Sequence, residues 1–239
     1  MKGRLLETVL GDPYSNLALE EALFVEMKHP ALRVWENKKA VVIGRAQRAE
    51  FETDLAYCKD HSIPVVRRIT GGGAVYHGPG NLNWSFFVPR QEGAESDARG
   101  VFTTFAGILV RALRDSGLGC RFVPPNSVAD VNGKVSGMAA YISKAGVLCH
   151  GTLLVSADLD ELERLTRPNP VTLERKYTRS RFVPVSNCGV KPRTFVEQLA
   201  NASGYELDRD GLTEDERNRT NRLLEKYRND EWNLGDPFG

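Results

Sequence analysis

The sequence predicts an α+β fold, a mixed or largely antiparallel β-sheet flanked by helices. Three observations carry that expectation. Stretches of strand character and stretches of helical period are mixed along the chain without a strict strand–helix–strand alternation. An Asn132-Gly133 pair, the strongest short signal for a hairpin, stands among stretches that read as antiparallel strands, Ser127 to Val131 before it and Val147 to Val155 beyond it. From Leu82 to Val88 the residues alternate, putting Trp84, Phe86 and Val88 on one face of a strand.

Taken in order, the first helix follows Ser15 and Asn16, either of which suits an N-cap. Leu19, Leu23 and Met27 recur on one face, with Glu20 and Glu21 placed in the first turns to favour the helix dipole. Short strands are expected at 32–35 and 41–43, a helix at 54–61, and a strand at 64–68 that enters a glycine loop. A long helical pattern over 101–116 stops at Gly117. Helices are also expected at 158–165, 193–202 and 213–228. The stretch 90–99 is polar and expected to be a loop; 167–180 is rich in charge and turn residues and carries no clear element signal.

The chain has 239 residues, 41% apolar and 26% charged, with a net charge of +1. That is an ordinary globular composition, with no global pull towards nucleic acid or membrane. No apolar run is long enough to span a bilayer and the N-terminus lacks a signal-peptide pattern, so the expected location is the cytoplasm. The cysteines Cys58, Cys120, Cys149 and Cys188 are scattered and form no C-x-x-C pair, which argues against a zinc cage or a disulfide framework.

The densest chemistry lies in VVRRITGGGAVYHGPGNLNW, residues 65–84. Gly71, Gly72 and Gly73 let a ligand approach the backbone, and their N–H groups can cradle an anion. Arg67 and Arg68 precede them on a strand, so alternation sends one side chain to each face and one can reach the loop. His77, Asn81 and Asn83 follow with polar heads. Neither a Walker A sequence nor a dinucleotide fingerprint is present. A bare Gly-Gly-Gly is equally compatible with a core hairpin; the arginines, histidine and asparagines together favour a site.

This stretch resembles the signature of the biotin/lipoate ligase and transferase family, specifically of lipoate–protein ligases: Arg-Arg-x-Ser/Thr-Gly-Gly-Gly-Ala/Thr-Val-x-His-Asp-x-Gly-Asn. One departure stands out, Gly78 in place of the usual Asp. VNGKVSGMAAY from Val131 and CHGTLL from Cys149 resemble a second family pattern, SNLALEEAL from Ser15 its first helix, and Gly44-Arg45-x-Gln47 the end of a strand pair near the acyl end. The resemblance implies a biotin/lipoate ligase-like catalytic domain spanning residues 1–239. It implies Lys134 as the catalytic lysine bridging the acyl carboxylate and the α-phosphate. It implies substrate and nucleotide contacts from Gly44, Arg45, Arg67, Arg68, Gly71, Gly72, Gly73, Ala74, His77, Asn81, Asn83, Gly137 and His150. Read without the family, Lys134 is a solvated lysine beside a turn, and His150 is equally compatible with a core histidine and a site residue. Trp35, Val42 and Ala74 are candidates for the lining of an apolar tunnel.

The activity so implied is ATP-dependent activation of lipoate to lipoyl-AMP, with Mg²⁺, and transfer to a lysine of a carrier domain. The carriers would be the E2 subunits of 2-oxoacid dehydrogenases or the glycine cleavage H protein. The metal ligands are not apparent, since the carboxylate usual at position 78 is missing. Many such ligases carry a small domain after the large one. This chain ends at Phe238-Gly239, so that domain is expected to be absent and a separate small subunit to complete the enzyme. Two other readings stay open: an octanoyl or lipoyl transferase with Cys120 as thioester nucleophile, and a non-catalytic lipoate-binding module. A biotin ligase typically carries a different glycine loop.

Overall fold

The computed structural model describes residues 1–90, 97–167 and 172–239. Eight strands form the large sheet: β1 (Lys2–Leu6), β2 (Ala31–Glu36), β6 (Asn81–Pro89), β7 (Arg121–Val123), β8 (Ser127–Ala129), β9 (Lys134–Ile142), β10 (Gly146–Leu154) and β11 (Glu206–Arg209). Their order is β11-β1-β2-β6-β10-β9-β8-β7. The β11/β1 and β1/β2 pairs are parallel and the rest antiparallel, as the mixed sheet expected from sequence requires. A second sheet, β4-β3-β5, comprises β3 (Ala40–Ile43), β4 (Val65–Arg67) and β5 (Val75–His77). The helices are α1 (Pro13–Glu26), α2 (Leu55–Asp60), α3 (Ala98–Asp115), α4 (Leu159–Thr166), α5 (Pro192–Ala202), α6 (Glu214–Arg228) and α7 (Asp230–Leu234). No helix among the described residues is long and apolar enough to cross a membrane.

The two faces of β6 show why the layers form. Leu82, Trp84, Phe86 and Val88 point to one side, where α3 and α5 bring Phe105, Leu109 and Phe195 to close the larger core. Asn81, Asn83 and Ser85 point to the other. That face meets apolar residues only towards its end, where Phe87 packs with Leu148, Trp35 and helix α1. Val42 and Val66 of the small sheet join this second core, so the small sheet lies over the same face. In its middle, pairing of Asn83 with Thr152 and of Ser85 with His150 leaves a polar stripe where a continuous core would otherwise be. A sheet face gives up apolar burial in this way only where something else is to be accommodated.

The expected helices and central strands are present, with several corrections. Helix α1 is capped by Asp12, which accepts from the Ser15 amide at 2.9 Å, with Pro13 opening the helix, rather than by Ser15 or Asn16. Asn16 instead faces inwards and bonds Leu10 O and Asn37. Glu20 lies deeper along the helix than its first turn and is buried. The Asn132-Gly133 turn joins β8 to β9, and β9 rather than β8 pairs with β10. The Asp130 carboxylate closes that turn by accepting from the Asn132 and Gly133 amides. Of the polar stretch expected at 90–99, residues 91–96 lie outside the described residues, and Asp97 caps α3. In the unassigned region 167–180, residues 168–171 lie outside them as well.

Candidate active site

Two cavities meet at Lys134. The larger, about 990 Å³, runs from the polar stripe to the glycine loop and is lined by Glu20, Trp35, Val42, His77, Asn83 and His150, among others. The smaller, about 360 Å³, lies between the edge of β5 and helix α4, with Val75, Leu154, Leu162 and Phe182 on its walls. Lys134 and Gly137 border both. All three candidates for an apolar tunnel, Trp35, Val42 and Ala74, line the larger cavity.

Lys134 opens β9, where the parallel bridge to Val185 fixes its backbone. Its ammonium folds back over Gly137: a Cβ there would lie 2.7 Å from Lys134 Nζ, so any side chain would push the ammonium away. Burial lowers the Lys134 pKa, and no carboxylate among the described residues sits close enough to raise it. A desolvated cation without a counter-charge is costly for the fold and attractive to an incoming anion.

The glycine loop is shaped by Arg68. Its Nη2 donates to Gly71 O and Gly73 O, its Nη1 to Val42 O and its Nε to Thr70 Oγ1. Burial pushes the guanidinium down to about 10, which leaves it charged near neutral pH. With these carbonyls drawn inwards, amide groups of the loop remain for a ligand. Gly72 sits at φ +88°, a conformation that a β-branched residue adopts only with strain. Gly44 lies directly behind: a Cβ there would be 3.2 Å from Gly71 C and closer still to Gly72. Its role is to let the loop close down rather than to touch an acyl chain. Asn83 is buried and both ends of its amide lack a partner among the described residues; the same holds for Asn81 Oδ1. Unpaired buried amides beside a cavity are groups that a polar ligand can satisfy.

His77 and His150 are held by different partners. Asn16 donates to Asn37 Oδ1, so the Asn37 amide is left to donate to His77 Nδ1. Burial pushes His77 down to about 3, and the ring is neutral with its proton on Nε2. His150 Nδ1 instead lies 2.9 Å from both Glu20 carboxylate oxygens, and its Nε2 is 2.7 Å from Thr70 Oγ1. Burial alone would raise the Glu20 pKa, but His150, Ser85 and Arg33 outweigh it and hold the carboxyl below its usual range.

Two arginines expected at the site are elsewhere. Arg67 donates to Trp232 O, Asn233 O and Gly235 O of the C-terminal segment and to Gly44 O, Arg45 O and Gln47 O. With its guanidinium spent on six carbonyls, it is a clamp between β4 and α7. The β4 alternation does send one arginine each way, and Arg68 is the one that reaches the loop. Arg45 is exposed and borders neither cavity; its backbone is engaged, the amide donating to Thr70 O and the carbonyl accepting from Arg67. Cys120 is buried at the end of the larger core, and burial pushes its thiol up to about 11. It borders neither cavity, which removes it as a nucleophile.

Sequence reasoning missed the strap 178–186. Ser180 Oγ accepts from the Ala74 amide at 2.8 Å and from Gln47 Nε2 at 3.1 Å, tying the strap to the glycine loop. The Ser180 amide and Arg179 are anchored on the fully buried Glu52. The strap continues past Lys134, whose amide donates to Pro184 O. Nothing short of the fold brings Glu52 and Ser180 together, and the charge-rich composition of the strap masks it as an ordinary loop. Gly78 has a local reason: a Cβ there would lie 2.6 Å from Cζ of Tyr76, whose hydroxyl donates to Glu161 of α4. The space of a side chain at 78 is taken by that tyrosine. No group of three or more His, Cys, Asp or Glu that could hold a metal occurs among the described residues.

Residues 12–198 match the family model of the lipoyl protein ligase A/B catalytic domain. A putative lipoate-protein ligase A of Aeropyrum pernix is 35% identical over 174 residues, which span 72% of this chain but 64% of that protein. Lipoate-protein ligase A subunit 1 of Thermoplasma acidophilum is 32% identical over 98% of this chain and 97% of its own length. Among solved structures, a lipoate-protein ligase A bound with ATP superposes with a TM-score of 0.86 at 29% identity, covering 98% of this chain and 99% of that one. A putative lipoate protein ligase from T. acidophilum with bound lipoic acid gives 0.84 at 30% identity, covering 98% and 100%. The ligase of a bi-partite archaeal lipoylation system from the same organism, described with its E2 lipoyl domain, gives 0.83 at 32% identity, covering 98% and 97%.

Proposed function

The chain belongs to the lipoyl protein ligase A/B catalytic-domain family, and from that premise we propose that it is the catalytic subunit of an ATP-dependent lipoate–protein ligase. The observation that carries the reading is the unpaired, desolvated Lys134 ammonium at the junction of two cavities. One cavity suits an acyl chain, with Trp35, Val42 and Leu17 along it; the other, beside a strand edge with Val75, Leu154 and Leu162 on its walls, is left for the purine.

A carboxylate acylates poorly, so it is first activated. A carboxylate oxygen attacks the α-phosphorus of ATP, the bond to the bridging oxygen of the β-phosphate breaks, and pyrophosphate leaves. Two anions must approach each other, and the Lys134 ammonium with the loop amides offsets their repulsion where charge develops. Asn83, unpaired at both ends, can orient the polar end of the acyl group. In the second step the carrier lysine amine attacks the acyl carbon, loses a proton, and AMP departs. No protein nucleophile takes part.

Mg²⁺ fits as a companion of the nucleotide rather than of a protein cage, since it keeps its waters and binds through substrate phosphates with one or two carboxylates. Asp160 and Glu163, which line the smaller cavity, are the carboxylates on its walls. When bound, the ion offsets triphosphate charge.

The acceptors are lipoyl carrier domains of E2 and H-protein type, and a separate small polypeptide completes the enzyme. Support for both comes from T. acidophilum, whose bi-partite ligase and E2 lipoyl domain are described together and whose subunit 1 matches this chain end to end. The setting is the cytoplasm, where ATP is at hand and the four free thiols stay reduced. The test is incubation with lipoate, ATP and Mg²⁺, followed by mass spectrometry for lipoyl-AMP. Its formation with pyrophosphate supports the reading; lipoate binding with no adenylate returns the chain to the class of binding modules.

A further inference from the structure

Four residues from three separate elements form one unbroken hydrogen-bonded chain between the acyl cavity and the glycine loop. Glu20 of α1 bonds His150 of β10, His150 bonds Thr70, and Thr70 bonds Arg68, which grips Gly71 O and Gly73 O. Glu20 and His150 border the acyl cavity; Thr70 is fully buried behind it and touches no ligand space. We propose that Thr70 is a positioning residue that couples occupancy of the acyl cavity to the shape of the glycine loop, and so couples the binding of the two substrates.

Proton bookkeeping makes the chain directional. Arg68 Nε–H can only donate, so Thr70 Oγ1 accepts at 2.9 Å. The Thr70 hydroxyl is fully buried and its proton needs an acceptor; His150 Nε2 stands 2.7 Å away. With Nε2 accepting, the His150 proton lies on Nδ1 and is shared between the two Glu20 oxygens, each 2.9 Å distant. Ser85 Oγ donates to Glu20 at 2.6 Å and Trp35 Nε1 reaches Ser85 at 3.3 Å, so the tunnel wall itself is tied into the chain. An acyl chain seated against Trp35, Glu20 and His150 restricts these groups, and through Thr70 it restricts the arginine that sets the loop carbonyls. Whatever ordering the first ligand imposes need not be imposed again by the second, which is positive coupling, and the coupling is reciprocal.

The inference rests on the ligase reading for the identity of the two ligands, so its test is read by binding as well as by turnover. Affinity for α,β-methylene-ATP, which cannot be adenylated, is measured by calorimetry with and without saturating lipoate. This is done in the native chain, in Thr70→Ser, which keeps the hydroxyl, and in Thr70→Val, which keeps the shape. The native chain and Thr70→Ser are expected to bind the analogue more tightly when lipoate is present. Thr70→Val is expected to lose that enhancement and to raise KM for ATP about tenfold, the scale of one buried hydrogen bond. Nitrogen-15 NMR of histidine-labelled native protein supplies a readout that survives a misfolded Thr70→Val: His150 is expected as the Nδ1–H tautomer. A Thr70→Val variant that melts lower but keeps the lipoate enhancement, or a His150 protonated on Nε2, overturns the proposal. If the native chain binds both ligands cooperatively yet makes no adenylate, the ligase reading fails and the coupling stands.

Discussion

Lys134 illustrates how one buried charge sets both activity and cost. Burial favours its neutral form, so its pKa lies below that of an ordinary lysine. Activation of an anion by an anion needs the charged form. The rate of adenylation, as kcat/KM, should therefore fall on the alkaline side at a pH below the usual lysine value, and Lys134→Arg should move that limb upwards. For stability the sign is reversed. A cation whose folded pKa is depressed binds fewer protons folded than unfolded between the two values, so its penalty is greatest at low pH and is relieved as pH rises from the depressed value to the ordinary lysine one. Lys134→Ala removes a desolvated charge that pairs with no described carboxylate. It should therefore leave melting unchanged or slightly raised while pyrophosphate release drops by at least about a hundredfold, the scale of losing one preorganised electrostatic group. A folded Lys134→Ala variant that releases pyrophosphate at the native rate would contradict the assignment. Cys120 makes the opposite case: its thiol is raised to about 11 and packed in the core. Cys120→Ala is expected to keep adenylation intact at a stability loss of about 1–2 kcal/mol from the small cavity, and no acyl-thioester should be trapped on the native residue.

Among the elements, the glycine loop is the one whose conformation and contacts leave least room for change. Gly72 at φ +88° has Arg68 Nη2 3.1 Å from where its Cβ would be. Gly72→Val therefore combines backbone strain of about 1–3 kcal/mol with displacement of the arginine that holds the loop. Affinity for lipoate and for ATP, measured by calorimetry, should drop together; unchanged affinities in a folded variant would show that the loop cradles neither. This loop was legible in the sequence because three glycines between arginines and a histidine have few other uses. So were α3, α5 and α6, whose periodic apolar residues and terminal signals agree: Thr213 and Glu216 of α6 form a reciprocal capping box. Strand β9 was less legible, because Gly137 and Ala139 trade β-propensity for space beside Lys134 and the cavities. Edge strand β11 and its neighbour β1 are short and pair in parallel at a sequence separation near 200, a relation that no local signal encodes. Arg67 and Arg68 form an adjacent pair whose division of labour depends on where α7 lies, and Glu20, placed near the dipole from sequence, became a partner of His150 only once β10 was packed beside α1.

At the scale of the molecule, the C-terminal segment is wired to the site rather than appended to it. Arg67 holds Trp232, Asn233 and Gly235 by their carbonyls, and Trp232 Nε1 returns a bond to Arg67 O. Tyr177, next to the strap, bonds Asp236 at 2.7 Å and packs on Phe238 with ring centroids 5.6 Å apart. The strap in turn is tied to Gln47 and the glycine loop through Ser180. A polypeptide that docked on this C-terminal segment would bear on both the strap and β4, the two elements that frame the loop. The exposed Phe182 and Val183 on the strap offer apolar surface beside the smaller cavity, and Phe238, packed on Tyr177, offers more on the C-terminal segment. A labile acyl-adenylate is protected when water is kept from it, which active-site lids do by closing. The proposed small partner is expected to act in that way, and the prediction divides by step. The purified chain alone should bind lipoate, since the proposed acyl cavity is lined by described residues of this chain, but should transfer the acyl group to a carrier domain slowly or not at all. Adding the small polypeptide should raise transfer by at least about a hundredfold while changing lipoate affinity by less than about threefold, a difference of under 1 kcal/mol. Asp236→Ala, which removes the Tyr177 hydrogen bond to the C-terminal segment at a residue that lines neither cavity, should blunt that response. Full transfer by the chain alone, measured as the mass increase of an E2 lipoyl domain, would rule out the two-part enzyme and leave the wiring of the C-terminal segment as a feature of stability only.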